Sequence, residues 1–301
     1  MTLHDAHNHL QDEALAPHLE RIAAVWPGLA GPSACMIVNG THPDDWPRVA
    51  ALAARYPFVR PAYGIHPWDA GAPRPDDWLD QLRAHLVANP QASIGEIGLD
   101  RWILDTARPD DPRLSGVRRA SMEEQIATFL PQLDLAAEFN RAATIHCLHA
   151  YADLLPLLRA RRRPPRGFLL HAYSGPASLI PELVTLGAYF SFNPNFLPPA
   201  TRPPAKCNQI GYTLPDVRGP KLASFAKSIP SERLLCETDA PAMLPPRHWR
   251  THKLPPTLDG IPVNHPGNIE AAYAGLASVR GLENAELSTL VAENFIRLFD
   301  N

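Results

Sequence analysis

The chain has 301 residues, 45% hydrophobic and 20% charged, enough apolar material for a barrel-sized core. Its formal net charge of −3 supplies no global field that would draw in nucleic acid or an anionic membrane, so any polyanion must be held locally. No run approaches the roughly 18 apolar residues of a membrane span, and no basic-then-apolar leader is visible. The four cysteines (Cys35, Cys147, Cys207, Cys236) form no C-x-x-C pair and read as small buried thiols, so the expected compartment is cytoplasmic.

Apolar, β-branched runs alternate with amphipathic, Ala- and Leu-rich runs along the whole chain. A strand at 3–7 leads to a helix at 14–25, 34–39 to 44–55, 58–65 to 76–88, and 92–97 to 120–139. Strand 142–147 precedes helix 151–162, 167–172 precedes 176–186, and 188–193 precedes 217–228. Strand 233–238 precedes two helices, 267–279 and 284–299. The helical runs repeat apolar residues at helical spacing, as at Leu130, Leu133 and Ala137. Strict alternation predicts a parallel sheet with helices outside it. Eight such units favour one (β/α)8 TIM barrel over residues 1–301 rather than an open doubly wound sheet. No G-x-G-x-x-G or Walker A pattern follows a strand, which counts against an open nucleotide-binding sheet. Proline, with 34 residues, gathers at 194–204, 215–220 and 241–266, which read as long, stiffened loops.

Chemistry in such a barrel sits at the C-terminal ends of the strands. "HDAHNHLQD" at 4–12 ends strand 1 with His7 and His9, and His66 follows strand 3. Glu96 ends strand 4, His146 strand 5, His171 strand 6, and Glu237 with Asp239 strand 8. A lone strand-end histidine is most simply a hydrogen-bonded structural residue. Five strand ends carrying His, Glu or Asp converge on one mouth, and such a cluster is stable mainly around a cation. His7 and His9 are two apart on a strand, so both face the same way and can share one ion. His146 and His171 come from neighbouring strands and can share a second. Glu96 lies between the pairs with two oxygens to bridge them, and Asp239 closes the ring beside strand 1. Two ions there would activate a water and clamp the oxygens of a displacement reaction. The mixed donor set suits Zn, Mn, Co or Ni, and Mg less well.

These residues also lie in motifs. "DAHNHL" (5–10), "YGIHPW" (63–68), "IGEIGLD" (94–100), "QLDLAAEF" before "IHC", "HAYSG" (171–175), "RLLCETDAP" (233–241) and "ENFIRLF" (293–299) resemble the TatD family of metal-dependent hydrolases. The resemblance runs in order from Asp5 to Phe299. It implies a TIM barrel with one or two divalent ions that hydrolyses phosphodiesters, with deoxyribonuclease activity and single-stranded DNA as substrate. It further implies that His7, His9, Glu96 and Asp239 hold the first ion, and Glu96, His146 and His171 the second. Asp239 would take the proton of the attacking water, and His66 would face the substrate phosphate.

One position departs from the family. Two residues after the strand-5 histidine an arginine suited to a phosphate oxygen is usual. Here that residue is Leu148, followed by His149. The long loops after strands 4, 7 and 8 could rebuild an anion site with Arg101, Arg118, Arg119, Arg247, Arg250, His252 or Lys253, or could narrow the mouth for a small substrate. The alternative reading is a barrel hydrolase of amides or lactones, or a deaminase. Many of those bridge two ions through a carboxylated lysine, and this chain has no lysine before Lys206. A non-catalytic scaffold would not keep all six ligands buried.

Other polar residues carry plainer readings. "RARRRPPR" (159–166) falls on the bottom face as a solvated helix end. Glu237 is expected to back a ligand or partner the core rather than bind an ion, His4 to be structural, and Asn294 to make a buried hydrogen bond. Trp68 and Trp102 sit on mouth loops, where they could stack a base or pack under a loop.

Overall fold

The computed structural model describes residues 1–196 and 226–300. Among these, eight strands form one parallel sheet in sequential order. They are β1 (Asp5–Asn8), β2 (Met36–Asn39), β3 (Val59–Tyr63), β4 (Ser93–Asp100), β5 (Ala143–Leu148), β6 (Phe168–Leu170), β7 (Ala188–Phe192) and β8 (Leu234–Cys236). Helices return the chain between strands: α1 (Leu19–Ala30), α2 (Trp46–Arg55), α3 (Trp78–Ala88), the one-turn α4 (Trp102–Asp105), α5 (Met122–Glu138), α6 (Tyr151–Ala160) and α7 (Ile180–Thr185). α8 (Ile269–Arg280) and α9 (Asn284–Phe299) follow β8. The helix expected at 217–228 lies outside the described residues except for its last turn, as do most of the proline-rich stretches at 194–204 and 215–220. The stretch at 241–266 is a long loop with one short helical turn, Arg247–Trp249.

The sheet closes at its C-terminal rim. The Asp239 amide donates to the His7 carbonyl at 3.0 Å, and the His9 amide to that of Ala240 at 2.7 Å. Buried Asp5 reinforces the seam by accepting from the Thr238 amide at 2.9 Å and its hydroxyl at 2.6 Å. The "DAHNH" and "ETDAP" motifs are thus the two edges of one closure. Strand residues are buried on both faces, as a barrel wrapped by helices requires. Ile94, Ile97, Ile145, Phe168, Phe190 and Leu234 are all sealed from solvent. Each such side chain contributes about 1.5–3 kcal/mol on burial.

Two glutamines on α5 hold the site's scaffold. The Gln125 amide group brackets the Asp100 backbone, accepting from its N–H at 2.8 Å and donating to its carbonyl at 3.1 Å. Gln132 does the same for Ile65, at 2.7 and 3.3 Å. These bonds fix the end of β4 and the turn carrying His66. α5 itself starts on a capping box between Ser121 and Glu124.

Several boundaries differ from expectation, and the first helix, expected at 14–25, spans Leu19–Ala30 behind a short turn at Ala16–His18. Glu96 does not end strand 4: β4 continues to Asp100, with a register irregularity between Ile94 and Ile97. A strand buried on both faces has no polar alternation to mark its end. Gly98, at φ 145°, explains part of "GEIG", since a Cβ there would lie 2.0 Å from the His146 carbonyl. His4 is structural as expected, stacked on Phe295 at 4.1 Å and accepting from the Cys35 amide. Asn294 caps the Ser231 and Leu234 carbonyls at 2.7 and 2.9 Å. In the basic run, Arg159 pairs with Glu182 and Arg161 with Asp134. Cys35, Cys147 and Cys236 are buried free thiols. No helix among the described residues is long and apolar enough to cross a membrane.

Candidate metal centre

Each site residue rides on a strand or the turn just beyond it. His7 lies in β1 and His9 one residue past it, so their side chains share a face, with Nε2 atoms 3.2 Å apart. Glu96 in β4 sends its two oxygens to different neighbours. Oε2 lies 3.3 Å from His7 Nε2 and 3.2 Å from His9 Nε2. Oε1 lies 3.0 Å from His146 Nδ1, 2.8 Å from His171 Nε2 and 3.3 Å from His66 Nε2. Asp239, just past β8, places Oδ1 3.5 Å from His7 Nε2 and 3.6 Å from His9 Nε2.

These spacings fit cations. Ligands about 2.0–2.1 Å from a tetrahedral ion lie roughly 3.3–3.4 Å from one another. The distances among His7, His9, Glu96 and Asp239 run from 3.2 to 3.6 Å. His146 Nδ1 and His171 Nε2, 3.2 Å apart, form a second set around Oε1 with room for a further donor. Among the described residues, three groups able to hold an ion emerge: His7 with Glu96 and His171, His7 with His9 and Asp239, and His66 with Glu96 and His146. The six residues expected as ligands therefore converge, and His66 joins them.

Electrostatics point the same way. Burial opposes charge on Glu96, but His171, His66 and His7 outweigh it and hold the carboxyl well below its usual range. Asp239 is likewise lowered against its burial, chiefly by His7. Burial would lower the histidines, yet carboxylate neighbours raise His9 and His146 to about 9. Without metal the pocket recruits protons to balance its carboxylates. The linkage has a definite sign. A histidine raised from 6.5 to about 9 adds stability that is complete below pH 6.5 and lost as pH climbs through about 9. A bound cation displaces those protons. Melting of metal-free protein should therefore weaken between pH 6.5 and 9 while metal-loaded protein stays level, and metal affinity should rise across that window. A pH-independent affinity would contradict this.

Asp100 and Asn39 were not legible as supporting residues, whereas Glu237 was expected to support rather than bind. Asp100 accepts from Trp68 Nε1 at 2.6 Å and faces His146 Nε2 at 3.1 Å. His9 Nδ1 bonds the Asn39 carbonyl at 2.8 Å. Glu237 turns away from the metal cluster, accepting from the Ala172 amide and the Ser191 hydroxyl. Its Oε1 stands 3.8 Å from His171 Nδ1, beyond hydrogen-bond length. Trp68 stacks on Trp102 at 6.0 Å, and the Arg113 guanidinium covers Trp102 at 4.3 Å, so both indoles are packed under loops while staying half-buried.

The loop cations divide. Arg101 is held by Asp153 at 2.7 Å and Arg118 by Glu124 at 2.8 Å. Arg119 is spent on the Ile103, Ala107 and Arg108 carbonyls. His252 pairs with Glu270 at 2.9 Å, and Arg250 donates to the Pro245 carbonyl at 2.6 Å. Arg247 and Lys253 are exposed.

Fold and site together define a barrel hydrolase of the divalent-metal type. The chain belongs to the TatD related DNase family, whose profile matches residues 4–300. It is 29% identical over 265 residues to the 3'-5' ssDNA/RNA exonuclease TatD of Klebsiella pneumoniae, covering 88% of this chain and 86% of that protein. It is 26% identical over 300 residues to the uncharacterized metal-dependent hydrolase YabD of Bacillus subtilis, covering 99% and 98%. The crystal structure of YJJV, a TatD homologue from Escherichia coli, shares the fold, with a TM-score of 0.75 at 24% identity over 99% of this chain and 97% of that one.

Proposed function

We propose that the protein cleaves phosphodiester bonds of a nucleic-acid strand at this centre, with residues 1–301 acting as one barrel. The observation that carries the reading is Glu96, whose two oxygens each face a separate set of imidazoles. Divalent cations there, with Zn, Mn, Co or Ni suited to the donors, would acidify a water and neutralise charge on the phosphate. His7, His9, Glu96 and Asp239 would hold one, and Glu96, His146 and His171 the other. Asp239, 7% exposed, has its carboxyl held against burial below the usual range by His7, so it stays ionised at neutral pH, as a proton acceptor must be. His66 faces the same oxygen of Glu96 as His146, and in this reading it meets the substrate phosphate. The exonuclease name of the Klebsiella relative supports a single-stranded DNA or RNA substrate. The buried free thiols suit a reducing, cytoplasmic compartment.

The test is hydrolysis of single-stranded DNA and of a generic phosphodiester by chelated protein reloaded with Zn, Mn, Co, Ni or Mg. Activity on amides or lactones with none on phosphodiesters would overturn the reading.

Leu148 gives a second check. It ends β5, half-buried, and Arg101, whose backbone amide donates to the Leu148 carbonyl at 2.9 Å, has its guanidinium held by Asp153. An arginine at 148 would offer a phosphate oxygen two charge-assisted bonds. Such contacts are worth about 1.5–3 kcal/mol. Leu148→Arg should therefore raise phosphodiester hydrolysis about tenfold or more. A folded, metal-loaded variant that is no faster would move the assignment toward a non-phosphate substrate.

A further inference from the structure

β4 continues four residues past Glu96 to Asp100, which is sealed from solvent. Every partner of this carboxylate reaches it with an N–H or a ring nitrogen. Trp68 Nε1 donates to Oδ2 at 2.6 Å, and the Ile103 amide donates to Oδ1 at 3.1 Å. His146 Nε2 lies 3.1 Å from the same Oδ2 that Trp68 holds. An ionised carboxylate only accepts, so the ring nitrogen facing it must carry the proton. Nδ1 faces a carboxylate too, Glu96 Oε1, but a cation seated beside Glu96 would need the Nδ1 lone pair, while Nε2 keeps its proton on Asp100. Nδ1 is the atom aimed into the cluster, 3.0 Å from Glu96 Oε1 and 3.2 Å from His171 Nε2. The other imidazoles of the site point the opposite nitrogen inward: His7, His9, His66 and His171 all present Nε2. His9 is fixed in that sense by the Asn39 carbonyl at its Nδ1, 2.8 Å away.

We propose that Asp100, itself oriented by Trp68, is a positioning residue that locks His146 in the Nε2–H tautomer and makes it an Nδ1 ligand of the second ion. The inference rests on reading the cluster as a metal centre, and on nothing about the substrate. A carboxylate behind a ligating imidazole both orients the ring and raises its basicity. A purely structural Asp100 would anchor the turn into α4 through Ile103 without caring which nitrogen of His146 is protonated.

Asp100→Asn separates these roles. Its shape is conserved, but one oxygen becomes an NH2 and can no longer accept from Trp68, Ile103 and His146 together. With zinc or manganese as the probe, titrated against a chelator, the second ion should bind about 10- to 100-fold more weakly while the first keeps its affinity. Two ions at wild-type affinity would overturn the proposal. Nitrogen-15 NMR of the wild-type histidines, zinc-loaded, tests it without any variant and so holds even if Asp100→Asn fails to fold. The expected spectrum shows His146 protonated on Nε2 and coordinated through Nδ1. Coordination through Nε2 would overturn the proposal while leaving the metal centre standing. A wild-type protein that binds no divalent ion would overturn the metal reading and this inference with it.

Discussion

Asp239→Asn is expected to reduce turnover about 100- to 10,000-fold at saturating metal, the range associated with losing a positioned proton acceptor. The side chain sits where β8 meets β1, with its amide tied to the His7 carbonyl at 3.0 Å. Asparagine keeps that backbone bond and nearly the same volume, so the barrel should fold. It cannot take a proton from water, and it is a poorer ligand beside His7 and His9, whose Nε2 atoms lie 3.5 and 3.6 Å from Oδ1. The first ion should therefore weaken without vanishing. Steady-state kinetics with metal content on the same sample checks both halves. Near-wild-type turnover would remove Asp239 from the chemistry.

Glu96→Gln should act on binding instead. Its carboxylate faces both histidine sets, with Oε2 toward His7 and His9 and Oε1 toward His66, His146 and His171. An amide removes the negative charge that all five imidazoles face and turns one acceptor into a donor. Affinity for both ions should fall by at least about 100-fold, the upper end of what losing a mere hydrogen-bond partner of a ligand costs. The same change should flatten the alkaline loss of stability of metal-free protein, because Glu96 raises the pKa of both His9 and His146. Chelator competition and pH-dependent melting read these effects separately. Loss of one ion with the other intact would show that Glu96 does not bridge.

Much of this was legible in the sequence because the chemistry is written at strand ends. The alternation of apolar runs set the order of β1 to β8, and "DAHNH", "GEIG" and "ETDAP" placed His7, His9, Glu96 and Asp239 at the same rim. The two-residue spacing of His7 and His9 sufficed to align their Nε2 atoms, since a strand repeats its face every second residue. Asp100 escaped because β4 is buried on both faces, so nothing in its pattern showed that the strand ran past Glu96. Glu237 and Asp239 could not be told apart by spacing alone. Both leave the end of β8, but at Asp239 the backbone turns to φ 50°, which sends one carboxylate to the metal cluster and the other to Ser191 and the Ala172 amide. The glutamine brackets from α5 join residues 25 and 67 positions apart, a pairing that no local pattern reveals. The loop arginines were expected as candidates for a phosphate site. Arg101, Arg118 and Arg119 are instead held by a carboxylate or backbone carbonyls that only the folded loops bring near.

The most direct test of the account is to strip the protein with a chelator, reload it with one metal at a time, and measure bound ions and single-stranded DNA hydrolysis together. The account predicts an inert stripped protein whose activity returns in step with the binding of one or two ions per chain. Full activity in protein shown to be free of metal, or a fully loaded protein that cleaves no phosphodiester, would contradict it.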